Sequence, residues 1–219
     1  MVATFLILAE PALQVIQGRR KTVPPLQDWK LVDFGPIVGA KSVAPLNLLE
    51  TASVHDNLGV GSTSATFGTA PGYWNALLGV FGNVVPKAVV ENEDWMRALS
   101  IFSMPIVRAV DLIAGATNAI RVDVYDEDDT VLASAVYAHE NLEPCVGESI
   151  TAFATAILEG KVAPGVWFPE DAIVGEENIA AVLAEAGKNA HTLSVEGNVQ
   201  TEDVFGSRAG MAAARQAVN

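Results

Sequence analysis

Apolar residues recur with the helical period in five parts of the chain, and each recurrence predicts a helix with one buried face. The apolar N-terminus predicts the first helix, which Gly18 and the basic run Arg19-Arg20-Lys21 would end. The predicted helices are residues 1–17, a segment after Pro71-Gly72, residues 91–114 in two pieces, residues 150–158 and residues 179–186.

Two of these helices carry long apolar stripes. In residues 91–114, Ser103 is the predicted cap of the second piece, and Pro105 lies in its first turn, where a missing N–H does no harm. The stripe of this segment consists of Trp95, Leu99, Phe102, Ile106, Val107, Val110 and Ile113. The stripe of residues 150–158 consists of Ile150, Phe153, Ala154, Ile157 and Leu158. We expect both stripes to lie in the core.

Alternating apolar and polar residues predict the strands. The clearest hairpin joins residues 120–125 to residues 131–138 through an acidic turn at residues 126–129. Shorter strands are predicted at residues 29–34, 43–48, 60–67 and 191–195. Helices and strands intermix without a regular βαβ repeat. We therefore predict an α+β fold, with a mixed or mainly antiparallel sheet covered by helices.

The 219 residues are enough for one or two domains. Because no repeat or long linker divides them, we predict one domain over residues 1–187 and a tail over residues 188–219, with a short helix around Met211. Half of the residues are hydrophobic, which provides apolar surface for a core and for a partner.

Charge argues against nucleic acid as a partner. Acidic residues outnumber basic ones by 26 to 13, for a formal net charge of −13, and such a field repels phosphate backbones. The short basic run at residues 19–21 is more simply explained as a solvated helix end.

The apolar segments predict core rather than membrane spans. Glu10 and Pro11 interrupt the N-terminal stretch, and Gly79, Gly82 and Pro86 interrupt the other one. Cys145 is the single cysteine, so an internal disulfide is impossible. We expect a soluble intracellular protein, and the sequence does not distinguish cytoplasm from plastid stroma.

Dinucleotide binding has no recognisable motif in this chain. The nearest string, Gly59-Val60-Gly61-Ser62-Thr63-Ser64, lacks the third glycine of a Rossmann turn, and strand-forming residues follow it. No glycine-rich loop precedes a Lys-Ser or Lys-Thr pair. We therefore expect no bound cofactor.

Nucleophilic and metal chemistry are equally weak expectations. Cys145 can form a dyad with His139 or His191 only if the fold brings them together, and packing is the simpler role of a lone cysteine. The three histidines, at 55, 139 and 191, are far apart and lack second ligands at helical spacing. The acidic turn lacks the ligand spacing of a calcium loop and is more simply a solvated turn.

Two segments are unlike ordinary core. Residues 67–74 join a strand end to a helix start and include Trp74, which is either a packing anchor or part of a pocket. Residues 163–170 hold Trp167 and Phe168 between two prolines, where the pair either lines a pocket or packs at an interface.

These segments carry a resemblance to saccharopine-dehydrogenase-like proteins. In order and spacing, the chain from Met1 to about Glu170 is similar to the second half of that family. The matching strings are Val32-Asp33-Phe34-Gly35, Phe67-Gly68-Thr69-Ala70-Pro71 followed by Trp74, Arg121-Val122-Asp123, Ile157-Leu158-Glu159-Gly160 and Gly165-Val166-Trp167-Phe168-Pro169-Glu170.

The resemblance implies a substrate and dimerisation domain without its cofactor half. In that family a Rossmann domain that binds a nicotinamide dinucleotide comes first, and here Met1 falls inside the pattern after it. NAD(P) is therefore expected only if a separate Rossmann half supplies the site. The residues that the resemblance and the aromatic segments mark for a pocket or interface are Phe67, Thr69, Trp74, Arg121, Trp167, Phe168 and Glu170; no catalytic residue is assigned.

Three functions follow as hypotheses. The first is a non-catalytic structural or interaction subunit with a protein partner or a homo-oligomeric state, so the isolated chain is not expected to be an enzyme. The second is the substrate-domain half of a split NAD(P)-dependent oxidoreductase. The third is a small-ligand binding module with a pocket between Trp74 and Trp167.

Overall fold

The computed structural model describes residues 2–8 and 10–197, which form two compact units. The first unit contains the described residues up to Asp33 together with Gly39–Ala116. The second contains Phe34–Val38 and the described residues from Thr117 onward. With 43% helix, 25% strand and three small antiparallel sheets, the fold is α+β, which confirms the predicted class.

The first unit holds most of the helices. Its helices are α1 (Val2–Ile7), α2 (Glu50–Leu58), α3 (Gly72–Val84), α4 (Lys87–Val90) and α5 (Glu93–Ala114). Its strands are β1 (Ala12–Ile16), β2 (Arg19–Val23), β3 (Lys30–Asp33), β4 (Ala40–Pro45), β5 (Thr63–Ser64) and β6 (Thr66–Phe67). They form two antiparallel sheets, ordered β2-β1-β5 and β3-β4-β6.

A small apolar core joins α1, α3 and α4 to the strand β4. Its fully buried members are Leu8, Leu26, Ala44, Leu46 and Val90. Phe5 and Phe81 pack against this core with their ring centroids 5.5 Å apart, which links α1 to α3. Phe67 at the end of β6 packs on the same cluster, so one of the predicted site residues is partly a core residue.

The predicted helix over residues 1–17 is wrong beyond Ile7. The β1–β2 hairpin follows instead, and Gln17 and Gly18 form its two-residue turn with φ of 50° and 74°. Two positive φ values match the twist of such a hairpin. The basic run therefore lies on β2 rather than at a helix end, and Arg20 pairs with Asp56 of α2 at 2.6 Å. The helix prediction rested on the apolar composition of this segment. It gave too little weight to the β-branched residues of the hairpin, which favour strands.

Three further predictions for the first unit need correction. The predicted strand over residues 60–67 is two separate two-residue strands, and helix α2 was not predicted. Within residues 91–114 there is one long helix, α5, rather than two pieces divided at Ser103, and the short α4 precedes this segment. Asn92 caps α5 by accepting the Trp95 N–H at 3.0 Å, and Pro105 lies inside the helix on an exposed side.

The second unit is a three-stranded sheet with two long helices. Its elements are β7 (Asn118–Tyr125), β8 (Val131–His139), α6 (Leu142–Leu158), α7 (Pro169–Ala172), α8 (Glu176–Ala186) and β9 (Thr192–Gly197). The sheet order is β7-β8-β9 and both pairings are antiparallel. This confirms the predicted hairpin, the helix at 179–186 and the strand near 191–195.

The acidic turn between β7 and β8 is held by one carboxylate. Asp126 Oδ1 accepts the N–H groups of Asp128 at 2.9 Å and Thr130 at 2.8 Å. The turn thus gives the predicted acidic run a structural role, because an Asp side chain at a turn satisfies backbone donors.

Helix α6 buries only part of the predicted stripe: Phe153 packs against the core of the unit, but the fully buried residues are others. Its buried residues are Cys145, Ala152 and Ala156, and the core of the unit joins Ala152 and Ala156 to Ile173 and Val182. Ile150, Ile157 and Leu158 of the predicted stripe are exposed. Small residues let α6 approach α8 closely, so the bulkier stripe points outward.

The predicted domain boundary after residue 187 stays a prediction. Residues 188–197 are described as part of the second unit, and the predicted helix around Met211 lies outside the described residues. Among the helices of the described residues, none is both long and apolar enough to cross a bilayer.

Candidate functional site

The segment 67–74, which the sequence marked for a pocket or interface, is fixed by one buried amide. Asn75 in the first turn of α3 is 5% exposed, and its Oδ1 accepts both the N–H of Thr69 at 2.7 Å and the hydroxyl of Thr69 at 2.9 Å. Asn75 Nδ2 donates to the Ser42 carbonyl of β4 at 3.2 Å. Thr69 thus helps to hold the loop, because both its N–H and its hydroxyl proton are bound by Asn75.

Close backbone contact completes this loop. A Cβ on Gly68 would stand 2.1 Å from the Ser42 carbonyl oxygen, so only glycine lets β6 approach β4 here. The Ala70–Pro71 peptide bond is cis. Trp74 lies in the first turn of α3, half-buried, with its ring centroid 5.3 Å from that of the more exposed Tyr73. The surroundings of Trp74 agree with a packing role.

The second aromatic segment is organised by its own backbone. Trp167 Nε1 donates to the Ala163 carbonyl at 2.9 Å, which folds the indole back over the loop. A Cβ on Gly165 would stand 2.8 Å from Trp167 Nε1, so the glycine makes room for the ring. Phe168 precedes α7, with Pro169 at its first position, and Glu170 lies in its first turn. Trp167 and Phe168 are 48% and 44% exposed.

Arg121 belongs to a polar group on one face of the β7–β8–β9 sheet. Its Nε lies 2.9 Å from both carboxylate oxygens of Asp123, and Ser134 donates to Asp123 Oδ1 at 2.6 Å. Residues two apart on a strand share a face, and Asp123 pairs directly with Ser134 across the sheet. The group is a partly buried ion pair within β7, and the Ser134 hydroxyl connects it to β8.

The structure therefore distributes the predicted site residues over both units. Phe67, Thr69 and Trp74 lie close together in the first unit. Arg121, Trp167, Phe168 and Glu170 belong to the second unit. A pocket between Trp74 and Trp167 stays a prediction.

A buried polar cluster that the sequence did not reveal lies at the start of α6. His139 at the end of β8 is 4% exposed, and its Nδ1 accepts the Asn141 N–H at 3.2 Å, which places the proton of the neutral ring on Nε2. That Nε2 lies 3.5 Å from Glu148 Oε2. Within the described part of the chain, neither atom has a hydrogen-bond partner. The other carboxylate oxygen of Glu148 accepts from Asn189 at 2.7 Å.

Tyr137 and Cys145 complete this cluster. The Tyr137 hydroxyl donates to the Ala186 carbonyl at the end of α8, at 3.2 Å. Burial, followed by the contact with the Cys145 thiol and the nearby Glu148 carboxylate, raises the pKa of the Tyr137 phenol above its usual range. Tyr137 and His139 stack with ring centroids 6.4 Å apart. The cluster ties α6 and α8 to the sheet, with the tyrosine in its neutral form.

An open cleft adjoins the cluster at the surface. It has a volume of about 410 Å³ and lies between the first half of α6 and the C-terminal end of α8, lined by residues that include Glu148, Thr151, Lys188 and Asn189. Among the described residues, no group of three or more His, Cys, Asp and Glu side chains is arranged to hold a metal ion.

Helix α5 presents the largest exposed apolar side chains of the first unit. Its buried face is narrow and includes Met96 and Ser100, whereas Glu93, Arg97, Arg108 and Asp111 lie on an exposed side. The remaining side carries Trp95, Leu99, Phe102, Ile106, Ala109 and Ile113. We call these six residues the α5 seam. The predicted core stripe of this segment is thus mostly exposed, and that prediction is corrected.

The α5 seam has the spacing of a heptad repeat. Steps of four and three residues alternate from Trp95 to Ile113, which is the a/d pattern that helices use to pack on one another. Trp95 is 66%, Phe102 74% and Ile113 89% exposed. Ala98, Pro105 and Leu112 lie beside the seam, and Asp94 lies at the N-terminal end of the same flank.

A shallow depression lies at the N-terminal end of the α5 seam. Its volume is about 340 Å³ and it is lined by Asn92, Asp94, Trp95 and Ala98. The depression is the size of a few side chains rather than of a cofactor, because ligand pockets usually enclose most of a larger molecule.

Other exposed apolar faces accompany the seam. On α3, Tyr73, Leu77, Val80 and Val84 follow the same spacing, and each is more than half exposed. In the second unit, Ile120, Val122 and Val124 lie on one face of the sheet, opposite the face of Arg121. Exposed apolar faces of this kind are typical of protein–protein interfaces.

Comparison of the chain with protein-family models and with curated proteins finds no match to either.

Proposed function

We propose that this chain is a non-catalytic interaction subunit, of the kind that the resemblance to the second half of saccharopine-dehydrogenase-like proteins implies. The observation that carries the proposal is the α5 seam, which is a row of six apolar residues with heptad spacing on an exposed side of a 22-residue helix. Leaving such side chains in water costs about 1.5–3 kcal/mol each relative to full burial, so covering them strongly favours association.

The composition of the seam supports a protein partner. Trp95 and Phe102 are aromatic residues of the type that contributes most of the binding energy in protein interfaces. The flank of Ala98, Pro105 and Leu112 adds uncharged surface beside them. Along Ala98, Pro105 and Leu112 no charged side chain would lose its water on association, and the Asp94 carboxylate lies at the N-terminal end of the seam.

The polar groups of the predicted pocket support the same proposal. The Thr69 hydroxyl is bound by Asn75, the Trp167 N–H by the Ala163 carbonyl and the Arg121 guanidinium by Asp123. Each of these groups stabilises the fold locally. Recognition of a small polar substrate would instead use convergent polar groups that are free to bind it.

The substrate-domain half of a split oxidoreductase is the second candidate function. The exposed apolar faces support it as much as they support a non-catalytic interaction subunit. A separate Rossmann half would need a surface to dock on, and such a half would supply the NAD(P) site. In either case we expect the chain to work as a soluble intracellular protein, as its acidic composition and single cysteine suggest.

The proposal is tested by cross-linking in extracts of the native host. A photo-reactive amino acid placed at Phe102 should give a protein adduct, and the same group at Arg97, on the charged side of α5, should give little. Adducts of equal yield at both positions would show that the seam has no special role. A Rossmann-fold protein in the Phe102 adduct would favour the split oxidoreductase.

Titration calorimetry with NADPH and NADH tests the non-catalytic part of the proposal. We expect no heat of binding from the isolated chain at micromolar concentrations. Micromolar binding together with substrate turnover would overturn the proposal, because a chain that binds and uses the cofactor alone is an enzyme.

A further inference from the structure

We infer that the α5 seam pairs with the α5 seam of a second copy, in antiparallel orientation. The inference rests on the proposed function and specifies its partner. In this arrangement Phe102 of one copy lies opposite Ile106 of the other, close to the two-fold axis. Ile106 of the first copy likewise lies opposite Phe102 of the second, as an isologous interface requires.

Length and spacing make the seam sufficient for a helix pair. Six a/d positions correspond to about three heptads, and 22 residues give a helix of roughly 33 Å. Antiparallel pairing about the midpoint of the seam places each d residue opposite an a residue. Trp95 then faces Ile113, Leu99 faces Ala109, and Phe102 faces Ile106.

Side-chain sizes favour the antiparallel orientation over the parallel one. Antiparallel pairing places the smallest seam residue, Ala109, opposite Leu99, and each aromatic residue opposite an isoleucine. Parallel pairing would place Trp95 against Trp95, Phe102 against Phe102 and Ala109 against Ala109. The interface would then have crowded layers at the two aromatic residues and a void at Ala109. Both overpacking and cavities destabilise an interface.

The depression beside Trp95 fits this arrangement. It lies at the end of the seam that faces Ile113 of the second copy, and Ile113 is 89% exposed with Leu112 beside it. Trp95 and Ala98 form the apolar wall of this depression, and a protruding Ile113 of the second copy reaches that wall only when the two helices run in opposite directions.

The available area is adequate for a stable dimer. A buried Trp or Phe covers about 150–250 Å², so Trp95 and Phe102 at their exposures contribute roughly 210–350 Å² per copy. A specific interface buries about 800 Å² per partner. Ile106, Leu112 and Ile113 are each about half exposed or more and supply much of the remainder.

Engineered cysteines test the orientation and the register together. On a Cys145→Ser background, the variant Leu99→Cys/Ala109→Cys should form an interchain disulfide under mild oxidation, read on a non-reducing gel and by intact mass. The two positions are about 15 Å apart along one helix, too far for an intrachain bond. Leu99→Cys alone should not link to itself, whereas parallel pairing would link it.

A matched control uses the charged side of the same helix. Arg97→Cys/Asp111→Cys has the same midpoint as the Leu99–Ala109 pair but lies off the seam, so it should stay unlinked. Equal linking of both pairs would indicate random collision and would overturn the inference, as would linking by Leu99→Cys alone.

Sedimentation equilibrium gives the second measurement. The native chain should be a dimer, and Phe102→Glu should weaken the dimer by at least about 30-fold, as expected for an interface hot spot of about 2 kcal/mol or more. Ile113→Glu is the second variant, and circular dichroism reports whether each one folds. A monomeric native chain, or a dimer that Phe102→Glu and Ile113→Glu leave intact, overturns the inference. Native-host adducts at Phe102 with another protein would then leave the proposed function standing.

Discussion

His139 Nε2 and Glu148 Oε2 face each other at 3.5 Å in the second unit, and both atoms are buried without a hydrogen bond among the described residues. The pair has the separation of an ion pair but not the geometry of a hydrogen bond. Because both atoms are removed from water, each is the nearest group that can offset the cost of burying the other.

Glu148→Gln should lower the free energy of unfolding by about 1–3 kcal/mol, the usual cost of an unsatisfied buried polar group. One oxygen of Glu148 accepts from Asn189 and the other faces the His139 N–H, so the glutamine amide must present its NH₂ to one of two donors. Urea denaturation measures the effect. Asn189→Ala is the control, because it removes only the exposed hydrogen bond and should cost less than half as much; an equal or larger loss would contradict this account of the pair.

Tyr137 should make the protein sensitive to alkaline pH. Burial and the Cys145 and Glu148 side chains raise the pKa of its phenol above the usual value of about 10. Above pH 10 the unfolded state releases this proton while the folded state retains it. The resulting stability is present below pH 10 and is lost as pH rises from there towards the folded pKa.

Comparison of the native chain with Tyr137→Phe isolates this contribution. The difference in free energy of unfolding between them should be constant from pH 7 to about pH 9 and should fall above about pH 10. Chemical denaturation across this range measures it. A difference that stays flat up to pH 11 would mean that the phenol ionises equally in the two states.

Gly68→Ala should destabilise the first unit by about 2 kcal/mol or more. The added Cβ would stand 2.1 Å from the Ser42 carbonyl oxygen, a backbone atom of β4 that is held by the β3–β4 pairing and by the Asn75 side-chain amide. Gly72→Ala in the same loop region is the matched control, because no atom lies within 4 Å of its Cβ. Thermal unfolding of the two variants should separate them, and similar melting temperatures would argue against the close approach.

The fold class and the hairpin of the second unit could be predicted because their signals are local. Alternation at Ile120, Val122 and Val124 specified β7, and the Asp-rich turn specified the connection. At the N-terminus the same reasoning failed, since a helix and a hairpin of apolar residues differ in periodicity only over a few positions. In the sequence, only Gly18 suggested a turn at this place. The residue type of Gln17 does not indicate the positive φ that it adopts.

The candidate surface could be located but not interpreted from sequence. Heptad spacing from Trp95 to Ile113 was visible, yet periodicity gives the face of a helix and not what covers it. In α5 the folded unit uses Met96 and Ser100 for its own packing and leaves the bulkier seam outside. The His139–Glu148 pair was invisible for a related reason, because nine residues and a change from strand to helix separate its members.

Hydroxyl-radical footprinting of the native assembly against the dissociated chain tests the central claim most directly. The account predicts that Trp95 and Phe102 lose most of their reactivity in the assembly, whereas Met104, on another side of the same helix, remains as reactive as before. Trp95 and Phe102 that react equally in the assembly and in the dissociated chain would contradict the claim that α5 carries the interaction surface.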